Sequence, residues 1–395
     1  MTLLRTALIL GLLSAVGPFA IDMYLPAMPA IAAGLGTDPA AVQATLIAYF
    51  AAFGAGQLLY GPWSDQAGRK LPLYAGLCLF AAASVACALA QSIGWLIAAR
   101  AAQGLGGAVL MIVPRAVIRD LHTGPEAAKL MATVMLMISI SPMLAPLAGS
   151  GIVALGDWRA IFWVLALAAG GAWALTAFAL PETLAPESRT RIDLASLRRG
   201  GARLLRDPIF MGLTLVGGFG FGSFMVFLAS AAFVYTGQFG LSPTGFSLAF
   251  AVNAAAFFSG SQFARPLYAR IGIPAVIRWA SAAFALFAAL TLLATLASPS
   301  LWAVMVGLFC ANACLGLVIP TTMVMALDPH GEIAGHAASL GGTLQMLAGG
   351  VLVVLTGMFF DGTAVPMLAG IAASAALALA AALPTLRAMD RPQTA

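Results

Sequence analysis

Asp22 and Arg100 are ionisable residues set inside long apolar runs, and that placement limits the chemistry open to them. Asp22 is the single formal charge between Thr6 and Ala33. A carboxylate at the centre of a membrane-crossing helix costs roughly 2.5–3.5 kcal/mol on insertion scales, so such residues usually face a partner charge or a water-filled cavity. An acid in that position can take up and release a proton. The alternative is an Asp22 hydrated at the far interface, since Pro26 and Pro29 allow the helix to end soon after it. Arg100 needs a partner for the same reason, unless it is a packing residue that reaches the interface. At 1.5 Å per residue, both groups fall roughly 10 Å below the same face, so they are expected to meet or to share one water network. A further charged group, Gly61-Pro-Trp-Ser-Asp-Gln-Ala-Gly-Arg-Lys70, reads as a loop. In it Gly61 and Gly68 permit tight turning and close approach. Asp65 can sit against a helix N-terminus, and Arg69 and Lys70 anchor a polar face.

The elements that must position these residues follow from composition. Of 395 residues, 62% are hydrophobic and 8% charged, against about 25% charged in an average soluble domain. The apolar runs are continuous rather than alternating, which excludes a barrel. The chain therefore reads as an all-α integral membrane protein with spans at 6–29, 42–62, 72–91, 94–114, 127–152, 159–180, 208–236, 243–264, 275–297, 300–327, 335–360 and 364–386. Twelve spans divide into two six-helix halves, 1–180 and 208–395, joined by a polar connector, 181–207. Pro62-x5-Gly68 and Pro266-x5-Gly272 at equivalent places suggest related halves.

Of the nineteen basic residues, only Arg100 and Arg159 lie away from the end that carries the connector. Positive charge gathers on the cytoplasmic side, so both termini are expected in the cytoplasm. The net charge of +5 follows this pattern and implies no nucleic acid. The connector around Leu197–Leu205 is either a basic amphipathic stretch on the anionic inner leaflet or a solvated linker. Cys78, Cys87, Cys310 and Cys314 lie in apolar spans, which argues against a disulfide framework, and no metal cluster is expected. The first twenty residues could pass for a signal peptide, but the apolar run continues to Ala33 and holds Asp22, against cleavage.

The stretch 61–70 resembles the signature loop of the major facilitator superfamily, G-x-L-x-D-R-x-G-R-K, with Trp63 and Gln66 as departures. The resemblance implies that Asp65 and Arg69 latch an outward-facing state, with Arg69 reaching Asp120 at the end of span four. Arg100-Ala-Ala-Gln103-Gly104 looks like the R-x-x-x-G motif of proton-coupled members, where the arginine influences a nearby acid. Ser141, Ala145, Pro146 and Gly149 resemble the antiporter motif G-x-x-x-G-P-x-x-G-G, with small residues replacing some glycines. Asp22-Met-Tyr-Leu-Pro26 and Leu180-Pro-Glu-Thr-Leu184 narrow the resemblance to exporters of the bicyclomycin/chloramphenicol resistance (Bcr/CflA) type.

The second half has almost no charge within its spans, and Asn253, Asn312 and Gln345 are its mid-span polar residues. Aromatic and thioether-rich surfaces suit varied lipophilic molecules, because methionine repacks. Tyr24, Tyr49, Gln103, Met135, Ser139, Phe224, Asn253, Phe257 and Gln345 are the expected cavity residues. The reading is a proton-coupled exporter of lipophilic, chloramphenicol-like drugs in a bacterial inner membrane. It would act by alternating access as a monomer, with the proton as coupling ion and no other cofactor. Uptake symport of a small metabolite is the alternative; a sugar site needs more polar side chains and a carboxylate site more cations. A receptor or lipid-modifying enzyme fits worst, since no nucleophile–base pair lies within the spans.

Overall fold

Every regular element is a helix among residues 3–122, 124–189 and 194–389, which the computed structural model describes; Arg191 and Arg391 of the basic census lie outside them. Eleven of these helices, some with an internal break, are long and apolar enough to cross a membrane. They run over Leu3–Leu35, Pro39–Ala67, Lys70–Ala88, Ile93–Leu121, Lys129–Ala154, Arg159–Phe178, Pro208–Gln238, Ile273–Ala297, Leu301–Gly331, Gly335–Gly357 and Ala364–Met389. The expected eighth span is a 20-residue helix, Pro243–Gln262, long enough to cross but less apolar than the others. We number the twelve in chain order.

Two units are recognised, Met1–Ile192 and Asp193–Ala395. In the first, span one packs on span five, two on four, and three on four and six; in the second, seven packs on eleven and twelve, eight on ten, and nine on ten and twelve. The units also repeat local devices at a constant separation. Gly36, the left-handed cap at φ 59°, recurs as Gly240 at φ 65°. The caps Asp38 and Ser242, each followed by proline, bond the N–H groups of Ala41 and Gly245. Phe53, Gly56, Pro62 and Gly68 recur as Phe257, Gly260, Pro266 and Gly272, with the last pair again at positive φ. Each of these residues has its counterpart 204 positions on.

Three boundaries differ from the sequence expectation. Span two does not end at Pro62 but stays helical to Ala67, so most of the expected loop is the last turn and a half of a helix and only Gly68, at φ 92°, breaks it. Apolar periodicity stops at Pro62, whereas the helix needs no apolar face once it clears the core. Span four passes Pro114 and reaches Leu121 after a change of direction at Ala108. Span one is broken: a helix ends at Asp22, a 3-10 turn spans Leu25–Ala27 and a second helix covers Met28–Leu35. Pro26 and Pro29 each fall within the first two positions of the piece they open, where a missing N–H costs nothing.

Close backbone approach holds spans two and four together. A Cβ on Gly104 would lie 2.2 Å from the Tyr49 carbonyl oxygen, whereas one on Gly61 would meet nothing within 4 Å. The two glycines therefore predict opposite responses. Gly104→Ala forces the helices apart and should lower the melting temperature in detergent by several degrees. Gly61→Ala should be neutral or stabilise by about 0.5–1 kcal/mol, the helical advantage of alanine over glycine. Equal melting temperatures for the two variants would contradict the packing described.

Candidate functional site

Asp22 ends the first helix of span one and is buried, at 5% exposure. Its Oδ2 accepts a long hydrogen bond, 3.5 Å, from Ser141 Oγ on span five. Arg100 is completely buried, with its guanidinium carbon 4.5 Å from the Tyr24 ring centre and 4.4 Å from that of Tyr49. A desolvated cation on an aromatic face gains about 2 kcal/mol, so two rings offset much of the cost of burying it. Arg100 Nη1 donates to the Ala20 carbonyl at 3.3 Å and to Gln103 Oε1 at 2.6 Å. Gln103 Nε2 donates in turn to Ser84 Oγ at 2.7 Å. Arg100 Nε and Nη2 have no partner among the protein atoms.

Of the two expected arrangements, direct contact between Asp22 and Arg100 or one shared water network, the structure does not show the first. The Ala20 bond places the guanidinium level with the end of the first helix of span one, yet no ion pair joins the two among the described residues. The guanidinium is drawn to the ring faces and Gln103, while Asp22 turns to Ser141. Tyr24 and Tyr49 are both fully buried around the cation; the Tyr24 hydroxyl shares a 2.6 Å bond with Thr45 and that of Tyr49 donates to the Gly17 carbonyl at 3.5 Å. The span-five stretch of small residues lies against this region. Ser141 and Ala145 are buried, and a Cβ on Gly149 would stand 2.2 Å from the Met23 carbonyl, at the break in span one. Pro142 and Pro146 lie within the same helix.

A second constellation surrounds Arg69, which is 4% exposed. Its Nε and Nη2 donate to the two carboxylate oxygens of Asp120 at 2.7 and 3.0 Å, and Nη1 donates to Asp65 at 2.6 Å and Ser64 at 3.0 Å. Burial disfavours the cation, but the bonds to Asp120 and Asp65 outweigh it and hold the guanidinium above the ordinary arginine range. Thr183 Oγ1 donates to Asp120 at 2.9 Å. Glu182 closes the turn by accepting from the backbone N–H groups of Arg69 at 2.8 Å and Lys70 at 3.1 Å. A Cβ on Gly68 would lie 2.7 Å from Glu182 Oε2, so both φ and space call for glycine there. Gly61 makes no such approach, contrary to expectation. Sequence reasoning missed Ser64, Glu182 and Thr183 as members, although Pro-Glu-Thr stood out as a motif.

Partial burial pushes the Glu182 carboxyl up, but backbone N–H groups of Arg69, Lys70, Leu184 and Thr183 outweigh it and hold the group below its ordinary value of 4.5. A depressed acid stabilises the fold above its unfolded value, and that contribution is lost as pH falls through the folded one. Thermal stability in detergent should therefore decline as pH drops below about 4.5, and part of that decline should vanish in Glu182→Gln. An unchanged pH profile in the variant would contradict the capping role.

The remaining expected cavity residues are spread over both units. Met135 and Ser139 are half-buried on span five, where Ser139 bonds its own helix at the Met135 carbonyl. In the second unit the Phe224 and Phe257 rings stack at 6.1 Å, and the buried Asn253 accepts from Asn312 Nδ2 at 3.1 Å. Gln345 lines a small cleft with Thr214 and Thr322. No group of three metal-ligating side chains occurs among the described residues.

The family model described as Major Facilitator Superfamily matches residues 10–353. The chain is 35% identical to an MFS-type transporter, YdgK, of Bacillus subtilis (strain 168), over 92% of this chain and 91% of that one. It is 30% identical to a bicyclomycin resistance protein homolog of Haemophilus influenzae, covering 91% of each. Identity to a chloramphenicol resistance protein of Pseudomonas aeruginosa is 31%, over 89% of this chain and 82% of that one. Among solved structures, a D-xylose–proton symporter superposes with a TM-score of 0.79 at 16% identity, covering 98% of this chain and 97% of that one. That likeness concerns the fold alone.

Proposed function

This chain belongs to the Major Facilitator Superfamily, and from that premise we propose that it exports lipophilic drugs across a bacterial inner membrane in exchange for protons. The drug part is supported by relatives at about 30% identity named for bicyclomycin, chloramphenicol and multidrug resistance. The observation that carries the proton part is a buried carboxyl, Asp22, level with a fully buried guanidinium that it does not neutralise. A carboxyl is neutral with its proton and charged without it, so its occupancy is expensive to leave unmatched inside a membrane. A drug and a proton competing for that environment would give exchange.

In this reading Arg100 sets the field around Asp22 and positions the drug. Its two N–H-bearing nitrogens without a protein acceptor suit a lipophilic molecule that carries carbonyl, nitro or hydroxyl oxygens. Tyr24, Tyr49, Gln103, Met135 and Ser139 in the first unit, and Phe224, Asn253, Phe257 and Gln345 in the second, are proposed as drug-contacting residues. Gly61, Gly68, Asp65, Arg69 and Asp120 govern the conformational equilibrium of alternating access, and Ser141, Ala145, Pro146 and Gly149 let span five move against span one. The protein works as a monomer with both termini in the cytoplasm, following its basic residues. Susceptibility of cells expressing the chain, measured over a drug panel, tests the drug part: raised resistance to chloramphenicol-like compounds is expected. Unchanged susceptibility across the panel, with the protein present in the membrane, would overturn it.

A further inference from the structure

Spans four and ten end alike, in Asp120-Leu-His122 and Asp328-Pro-His330, 208 positions apart. In the first unit these ends are satisfied from within: Arg69 takes Asp120, and Glu126 lies 3.1 Å from His122 Nδ1. The second unit cannot repeat this. The residues 204 positions beyond Asp65 and Arg69 are Ala269 and Ile273, so the basic hand that closes the first turn has no counterpart.

A different element covers the second end. The connector helix Leu194–Arg206 packs on spans seven and eleven and is tied down by the fully buried Leu204. Between this helix and the turn Asp328–Ile333 lies an open cavity of about 310 Å³, lined by Arg203, Pro329, His330, Gly331 and Ile333. His330 is 94% buried, stands edge-on against Phe210 at 5.6 Å and has Nε2 3.1 Å from Asp207 Oδ2. Both ring nitrogens are buried without a well-formed hydrogen bond, and Nδ1 has no acidic neighbour at ion-pair distance among the described residues. Arg203 makes no ion pair among the described residues. Asp207, just beyond the end of the helix, is occupied: Oδ1 accepts from the Ile209 and Phe210 N–H groups while Oδ2 faces His330. Asp328 points to solvent.

We propose that this cavity binds the headgroup of an anionic phospholipid of the phosphatidylglycerol type, with Arg203 on the phosphate and His330 Nδ1 as the buried polar contact. Three features favour a lipid over a soluble phosphate. The cavity is far larger than a bare phosphate needs, and Pro329 and Ile333 give it an apolar wall against which a glycerol backbone can lie. The helix beside it is basic and amphipathic, with Leu205 exposed next to Arg203 and Arg206, the pattern of a segment seated at an anionic leaflet. Within the second unit Arg265, Arg270, Arg278 and Arg387 gather at the same end of the spans, so the surrounding potential draws acidic lipid to it.

The test is native mass spectrometry of the full-length protein released from detergent, titrated with dioleoylphosphatidylglycerol or dioleoylphosphatidylcholine. One phosphatidylglycerol should bind at least tenfold more tightly than phosphatidylcholine. Arg203→Ala and His330→Gln should each lose that preference, and Arg198→Ala, exposed on the same helix, should keep it. Equal losses in Arg198→Ala would mean diffuse surface charge and overturn the site, as would equal binding of the two lipids. Competition by sn-glycerol 3-phosphate at the lipid's own affinity would overturn the lipid assignment in favour of a soluble phosphate. Should His330→Gln unfold, Arg203→Glu decides, since its exposed side chain leaves the fold intact and reverses the charge.

Discussion

Replacing Asp22 by asparagine should abolish proton-driven drug transport while leaving the folded protein in the membrane. The variant keeps an acceptor oxygen for Ser141 Oγ, and the bond it replaces is already long at 3.5 Å. The change in stability should therefore stay within about 1 kcal/mol, the usual net worth of one neutral hydrogen bond. The variant cannot take up or release a proton, because an amide does not titrate in this range. In proteoliposomes the ΔpH-driven rate should fall at least about tenfold, a loss of roughly 1.4 kcal/mol or more in transition-state terms. Drug exchange without a pH gradient should survive, since the surroundings of Arg100 are unchanged. Full ΔpH-driven efflux by Asp22→Asn would remove Asp22 from the mechanism.

The second large effect is expected at Arg69. Its side chain holds five hydrogen-bond contacts at most and uses four of them on Asp120, Asp65 and Ser64, joining spans two and four at one end. Arg69→Ala leaves Asp120, at 13% side-chain exposure, with the Thr183 hydrogen bond and the more distant charge of Arg119. A charged hydrogen bond is worth about 1.5–3 kcal/mol, and stranding a buried charge costs about 3–5 kcal/mol. Since Asp65 is half exposed and rehydrates, a loss of about 2–4 kcal/mol of the conformation that holds the latch is expected. Transport should fall sharply while drug affinity, measured with the conformation held fixed, changes little. Arg69→Lys should rescue little, because an ammonium cannot span both oxygens of Asp120. A double variant, Arg69→Ala with Asp120→Ala, should recover stability relative to Arg69→Ala, as the stranded charge is gone. No recovery would contradict the pairing.

Much of this site is legible in the sequence. Asp22 and Arg100 stand out because a charge within an apolar run has few uses, and the spans because hydropathy follows the bilayer's thickness. Other parts were hidden for physical reasons. The faces of Tyr24 and Tyr49 hold Arg100 without any spacing that marks them, since a ring accepts a cation from either side. Glu182 reaches the Arg69 turn from 113 residues away and acts on backbone N–H groups, which every residue possesses. The continuation of span two to Ala67 carries no apolar pattern, because Ser64, Asp65 and Gln66 interrupt it while the helix continues on its backbone hydrogen bonds. Span eight, by contrast, is legible from its apolar run at 243–264 although it is the least apolar; its cap, Ser242 followed by Pro243, repeats that of span two only in the structure.

Proton-coupled export is tested most directly by the wild-type protein in sealed proteoliposomes with a pH-sensitive dye inside. Loading the outside with a chloramphenicol-like drug at equal pH should drive protons outward as drug enters, so the lumen turns alkaline. The signal should vanish in Asp22→Asn and in liposomes without protein. An acidifying lumen, with drug and protons entering together, would show symport, and drug entry with no change in lumenal pH would show uncoupled transport. Either result would contradict exchange of drug for protons.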